Sequence, residues 1–158
     1  SKMKAANIGV IYLGGYHTEG GLIIRQAKEQ GMQAILFGGD ALVSDEYWSI
    51  AGPSAQGTLM TFSPDPVRNP IAKPVVDKFL AQNYKPEGYT LYTYAAIQVF
   101  AQAAERAKST KLSAVNKVLR SEKFETVLGN LSFDKKGDVN APGYIVYVWK
   151  DGKYDYVQ

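Results

Sequence analysis

Residues 7–40 read NIGVIYLGGYHTEGGLIIRQAKEQGMQAILFGGD. Ile8 to Leu13 is a nearly continuous apolar run, rich in β-branched residues, that stops at Gly14-Gly15. Such a run predicts a strand buried on both faces. From Gly20 to Gln30 the pattern turns helical, with Ile23, Ile24 and Ala27 inward, Arg25, Lys28 and Glu29 outward, and Gly31 placed to end it. A second apolar strand, Ala34 to Phe37, runs into another glycine pair and an acid, Gly38-Gly39-Asp40. The unit is strand–loop–helix–strand, and a right-handed crossover helix makes its two strands parallel.

Both strands end in Gly-Gly followed by a polar residue, Tyr16 in one and Asp40 in the other. In open α/β sheets, ligands bind beyond the carboxyl ends of the strands, and glycine lets the backbone turn sharply there. The pattern therefore sets a phenol and a carboxylate side by side at one rim. Two roles stay open at this point. The pair could meet a ligand, or Tyr16 could pack on the rim while Asp40 caps the next turn.

Composition bounds the rest. A chain of 158 residues suits one domain or pieces of two, and 46% hydrophobic residues suffice for a real core. The net charge is only +3, with Lys and Arg scattered; without a basic stripe interleaved with aromatics, nucleic-acid binding is disfavoured. No apolar run approaches the roughly 20 residues that cross a bilayer. The absence of cysteine excludes a disulfide, a zinc ribbon or a thiol nucleophile. The opening Ser1-Lys2-Met3-Lys4-Ala5-Ala6-Asn7 reads as the end of a helix entering the first strand, with neither an initiator Met nor a signal peptide. A domain seldom begins on the last turn of a helix, so the chain is expected to be the C-terminal part of a longer protein.

After Asp40, Ser44 is placed to cap a short helix, Asp45 to Ala51, ended by Gly52-Pro53. A third strand follows from Gly57 to Phe62. Pro64, Pro66, Pro70 and Pro74 then crowd a span that cannot be the interior of a helix or strand. Beyond this break the chain turns helical, over Pro74 to Gln82, Thr90 to Lys108 and Ser113 to Leu119. The long helix is expected to bury Tyr92, Ala95, Ala96, Val99 and Ala103 and to turn Gln98, Gln102 and Glu105 to water. Tyr89 falls at its N-terminus. The last section reads as β: Asn130 to Asp134, a turn at Lys135-Lys136-Gly137, a second break at Asn140-Ala141-Pro142-Gly143, then Tyr144 to Trp149. Lys150-Asp151-Gly152 signals a hairpin returning over Lys153 to Val157. Two breaks bracketing a helical block are what a chain crossing between two lobes and back produces.

Several motifs lead nowhere. The loop Gly14 to Gly21 follows a strand and opens a helix, yet fits neither G-x-G-x-x-G nor the P-loop pattern, so an enzyme holding a nucleotide or phosphate there lacks its lysine and a catalytic pair. Asp134-Lys135-Lys136-Gly137-Asp138 faintly suggests a calcium loop, but two lysines stand where oxygen ligands should alternate; it reads as a turn. His17 is the single histidine. A lone histidine without cysteine rarely binds metal, and no serine or threonine is spaced to make it a general base. It reads as a loop residue beside Tyr16, in the ligand set. No metal, cofactor or enzyme activity is expected.

IYLGGYHTEGGLIIRQAKEQG, FGGDAL, GTLMTFSPDP, PEGYTLYTYAAIQVFAQAAERA, LSFDKKGDV and YVWKDGKY occur in the order and spacing of one family. Across nearly its whole length the chain resembles the C-terminal part of a type I periplasmic solute-binding protein of the branched-chain amino-acid (leucine/isoleucine/valine) ABC transporter family. The resemblance implies an α/β fold of two Rossmann-like lobes, each a three-layer α/β/α sandwich with a parallel central sheet, present here in part. Residues 1–62 and 141–158 would belong to the second lobe and 63–140 to the first, with the N-terminal half of the protein absent. It implies a periplasmic protein that encloses an aliphatic amino acid between its lobes by hinge closure and delivers it to a membrane permease. A ligand-sensing domain of a receptor or regulator, built on the same fold, has the same site chemistry. The family's ligand residues transfer to Tyr16, Asp40 and Tyr89; members often carry Glu where Asp40 stands. An enclosed ammonium needs an anion beside it, because a buried unpaired charge is costly, and Asp40 supplies one.

Overall fold

The computed structural model describes residues 2–157. In chain order the elements are α1 (Lys2–Ala5), β1 (Val10–Leu13), α2 (His17–Glu29), β2 (Ile35–Gly38), a 3-10 turn (Asp40–Leu42), α3 (Asp45–Ala51), β3 (Leu59–Phe62), α4 (Lys73–Ala81), α5 (Thr90–Ala107), α6 (Leu112–Leu119), β4 (Phe124–Thr126), β5 (Gly129–Leu131), β6 (Ile145–Lys150) and β7 (Lys153–Tyr156). They fall into two compact units: residues up to Pro64 together with those from Gly143, and Asp65–Pro142.

The first unit is built on a five-stranded sheet of order β1-β2-β3-β6-β7. The crossover through α2 makes β1 and β2 parallel, with Leu13 opposite Gly38, and β3 adds parallel to β2. Beyond it β6 and β7 run antiparallel. Their hairpin turns on Asp151 (φ 50°) and Gly152 (φ 80°), the pair of positive φ values that matches the twist of a two-residue hairpin. Both α2 and α3 lie on one face of this sheet. Under them Leu36, Leu42, Tyr47, Met60 and Trp149 are buried. The Trp149 ring stacks on Trp48, with centroids 5.7 Å apart, and its indole N–H donates to the Leu42 carbonyl at 3.0 Å. A buried aromatic of this size removes roughly 150–250 Å² from water, worth about 4–6 kcal/mol at ~25 cal/mol per Å².

The expectation that β1 is buried on both faces is corrected. Ile11 and Leu13 turn toward the helices, but Val10 is 58% and Tyr12 74% exposed. The apolar run is real, and β1 is the outer strand of the sheet. Its second face, continued by Ile35 on β2 and Val146 on β6, is uncovered among the described residues.

The second unit holds α4, α5, α6 and the β4–β5 hairpin. Leu91 and Ala95 of α5 pack with Ala72, Val76 and Val127, and Val99 and Ala103 pack with Val115, Phe124 and Leu131. The wet face expected on α5 holds at Glu105, which is exposed, and is corrected at the two glutamines. The Gln98 side-chain carbonyl accepts from the Val127 N–H at 2.9 Å, and the Gln102 amide donates to the Glu125 carbonyl at 2.8 Å. These glutamines clip the helix to the hairpin. The face that meets water instead carries Tyr94, Ala96, Ile97 and Phe100, with Ile97 65% exposed. The strand expected over Asn130 to Asp134 is β5 ending at Leu131, followed by a bridge between Phe133 and Val139. Its partner β4 carries no sequence signal, being only three residues long. The stretch 134–138 is a turn: one Asp134 oxygen accepts from the N–H groups of Lys136, Gly137 and Asp138 at 2.8, 2.9 and 2.9 Å.

Candidate functional site

The rim of the first unit is set by how closely α2 approaches its neighbours. Two glycines permit it. A Cβ on Gly20 would lie 2.9 Å from Leu42 Cδ2, and one on Gly21 would lie 2.7 Å from Ile50 Cγ2. Leu42 closes the 3-10 turn that begins at Asp40, and Ile50 sits on α3. The helix expected from Gly20 starts three residues earlier, at His17, so the glycine pair lies inside α2. Helix propensity argues against glycine there by about 1 kcal/mol each, and close packing overrides it.

Tyr16 occupies the N-cap of α2, three residues beyond the end of β1, with extended backbone and a side chain exposed enough (71%) to meet a ligand. Its carbonyl accepts the first helical bond from the Gly20 N–H at 2.9 Å. Asp40 follows the end of β2 by two residues. Because Leu13 and Gly38 are partners in adjacent parallel strands, both residues leave the sheet at the same rim. The Asp40 Oδ1 accepts from the Ala41 N–H at 3.1 Å, while Oδ2 has no protein hydrogen bond among the described residues. One oxygen of this half-buried carboxylate thus serves the 3-10 turn from its first residue, whose N-cap is Gly39, and the other is an open acceptor.

His17 is not a loop residue. It is the first residue of α2, and its Nε2 lies 3.1 Å from Glu46 Oε2 in the first turn of α3. Nothing in the spacing of Glu46 from His17 points to this pairing in the sequence. The Glu46 turn is held by Ser44, whose hydroxyl accepts from the Glu46 N–H at 3.2 Å. Tyr89 belongs to the second unit, at the N-cap of α5. The turn before it is pinned by Thr90, whose hydroxyl donates to the Glu87 carbonyl at 2.9 Å. Among the described residues no cluster of three or more His, Cys, Asp or Glu could hold a metal ion, and no helix is long and apolar enough to cross a membrane.

A sequence profile described as periplasmic binding protein matches residues 1–153. The chain belongs to the periplasmic binding protein family. Leu/Ile/Val-binding protein homolog 1 of Brucella suis biovar 1 (strain 1330) is 50% identical over 162 residues, 100% of this chain and 44% of that protein. The structure of the leucine binding protein LivK of Thermotoga maritima MSB8 matches with a TM-score of 0.85 at 27% identity, over 99% of this chain and 47% of LivK. The branched-chain amino acid transporter substrate binding protein LivJ of Streptococcus pneumoniae, solved with isoleucine, matches with a TM-score of 0.80 at 26% identity, over 98% of this chain and 45% of LivJ. This periplasmic binding protein chain therefore spans less than half the length of these relatives. Its fold is the α/β type I periplasmic binding protein fold, represented in part. The central sheet is mixed: β1, β2 and β3 are parallel and β6 and β7 add antiparallel, rather than the wholly parallel sheet expected. These relatives are solute-binding proteins rather than enzymes.

Proposed function

We propose that the protein carrying this chain is the extracytoplasmic substrate-binding component of an ABC transporter, and not an enzyme. It takes an α-amino acid with an aliphatic side chain between two lobes, closes on it by a hinge, and delivers it to a membrane permease. Residues 1–62 and 141–158 contribute to one lobe and 63–140 to the other. The observation that carries this reading is Asp40: a carboxylate at the strand-end rim with one oxygen free to accept, beside the exposed phenol of Tyr16. An ammonium withdrawn from water requires such a partner. Tyr16 adds an aromatic wall, and Tyr89 covers the ligand from the other lobe. The names of the Brucella and Thermotoga relatives, and the isoleucine held by the Streptococcus protein, favour a branched aliphatic side chain.

The remaining half of the protein is its first partner. The uncovered apolar faces of β1 and α5 and the share of the relatives' length that this chain spans support that reading. Calorimetry on the full-length polypeptide tests it. Leucine, isoleucine or valine should bind, 4-methylpentanoate (leucine without its ammonium) should not, and Asp40→Asn should weaken leucine binding about 30-fold or more, the cost of removing one partner of an enclosed charge pair. Unchanged affinity in Asp40→Asn would overturn the assignment of the ammonium partner. The 158-residue chain alone should bind weakly or not at all; micromolar or tighter affinity for leucine would show that the missing half is not needed.

A further inference from the structure

His17 and Glu46 join the first turns of two helices that flank the Asp40 turn, at 3.1 Å between Nε2 and Oε2. The end of α2 they fasten is otherwise weakly held. Its N-cap is Tyr16, which makes no side-chain capping bond, and a helix that lacks one leaves its first N–H groups without partners and its first turn prone to fray. One turn further along, α2 is held by contact between the Gly20 and Gly21 positions and Leu42 and Ile50. Tyr16 lies on the unheld side of that contact. A polar tie on the same side runs from His17 to Glu46, and Glu46 is itself anchored by the Ser44 cap.

We propose that His17 is a positioning residue for the amino-acid site: by its tie to Glu46 it fixes the N-terminal turn of α2 on α3 and so holds the Tyr16 side chain at the rim, without touching the ligand. This rests on the amino-acid-binding reading given above. It assigns His17 and Glu46 a role in affinity that acts through Tyr16. The side chains are 31% and 64% exposed, so the pair is screened by water and its effect is modest, about two- to five-fold in affinity for a pair worth about 0.4–1 kcal/mol.

The test is a cycle of leucine titrations on the full-length polypeptide, joined to amide hydrogen exchange at Gly20, whose N–H bonds to the Tyr16 carbonyl. His17→Ala and Glu46→Ala should each weaken leucine binding about two- to five-fold. His17→Gln, whose amide can still donate to Glu46, should restore it to within about two-fold. In a Tyr16→Ala background, His17→Ala should cost nothing further, because residues acting through one another are non-additive. Gly20 exchange should quicken in His17→Ala and Glu46→Ala whether or not ligand is present. A full additive loss in the Tyr16→Ala background would mean that His17 meets the ligand directly, and would overturn the proposal. So would unchanged Gly20 exchange in His17→Ala. If the wild-type protein binds no branched-chain amino acid, the functional reading fails, and the exchange measurement alone decides whether His17 positions the rim.

Discussion

Gly21→Ala distinguishes packing from helix propensity at the element on which the rim is built. Propensity alone predicts stabilisation of about 1 kcal/mol, because alanine replaces glycine inside α2. The structure predicts the opposite sign. The new Cβ would lie 2.7 Å from Ile50 Cγ2, 2.9 Å from Ile50 Cβ and 3.3 Å from the Ala51 backbone N. Carbon atoms rest at about 3.5–4.0 Å, so the overlap with Cγ2 is roughly 1 Å. Two of the opposing atoms, a Cβ and a backbone nitrogen, cannot move by side-chain rotation. With two opposing atoms fixed, the helices must part at a cost of about 2–3 kcal/mol, the upper part of the range for an overpacked contact, which leaves a net loss of about 1–2 kcal/mol. Gly20→Ala is the internal control. Its nearest neighbour is the far end of the Leu42 side chain, 2.9 Å away, which can rotate aside, so the loss there should be smaller. Urea unfolding followed by tryptophan fluorescence reads the effect, since both tryptophans, Trp48 and Trp149, lie in this unit. A loss of 1–2 kcal/mol lowers the midpoint by about 0.5–1 M for an m-value of ~2 kcal/mol/M. In Ile50→Ala the Gly21→Ala penalty should shrink by at least ~0.5 kcal/mol. A rise in midpoint for Gly21→Ala would refute the packing argument.

Two further outcomes follow from hydrogen bonds in the two units. The Tyr47 hydroxyl and Thr58 Oγ1 are 2.7 Å apart in the core; Tyr47→Phe should cost about 1–3 kcal/mol by stranding the buried threonine hydroxyl, and adding Thr58→Val should recover most of it in the same urea assay. Burial pushes the Tyr47 phenol up to about 12, against a smaller lowering by its bond to Thr58. The folded state therefore keeps this proton when the unfolded chain has released it. Stability is unaffected by this group below about pH 10 and falls by about 1 kcal/mol per unit between pH 10 and 12, a component that Tyr47→Phe should remove. In the second unit, the N–H of Asp138, then those of Lys136 and Gly137, and the nearby Arg120 hold the Asp134 carboxyl below its ordinary value. A depressed pKa places the stabilisation above the usual carboxylate range and removes it as the pH falls through the lowered value. The amide resonances of residues 136–138 should keep their folded positions at neutral pH and collapse only in acid, and Asp134→Ala should show the collapsed pattern at all pH values.

The sequence exposes those parts of the fold whose signal is local. Ser44 caps α3 and Gly52 follows it, the Asp151-Gly152 pair turns the last hairpin, and prolines mark the departure from the first unit. Each depends on the chemistry of one or two adjacent residues. What misleads is what depends on distant partners. Gly20-Gly21 gives no sign of the close contact it permits, because the side chains it makes room for, Leu42 and Ile50, lie about 20–30 residues away. Gln98 and Gln102 look wet because their partners are backbone atoms of a hairpin too short to announce itself. The site divides in the same way. Tyr16 and Asp40 are legible because strand ends and glycine pairs locate them, whereas Glu46 is not, since a tie between two helix starts leaves no periodicity.

On the proposal that a further polypeptide completes this chain, the apolar faces offer it surface away from the candidate site. Val10, Tyr12, Ile35 and Val146 stand on the flat of the sheet, opposite α2 and α3. Exposed apolar surface of this kind marks a place of contact, and β1 is an edge strand with no strand partner on its outer side among the described residues. Tyr16 and Asp40 leave the sheet at the strand ends instead, after Leu13 and Gly38. A polypeptide covering the flat and extending the edge therefore uses surface that the candidate ligand pair does not. In the second unit the exposed face of α5, with Ile97 and Phe100, is likewise distinct from the Tyr89 turn at its N-terminus. Both units thus separate their exposed apolar surface from the residues proposed to meet the ligand. Substitutions on the apolar faces should then impair folding of the whole protein, while those at Tyr16, Asp40 and Tyr89 should impair binding in a protein that still folds.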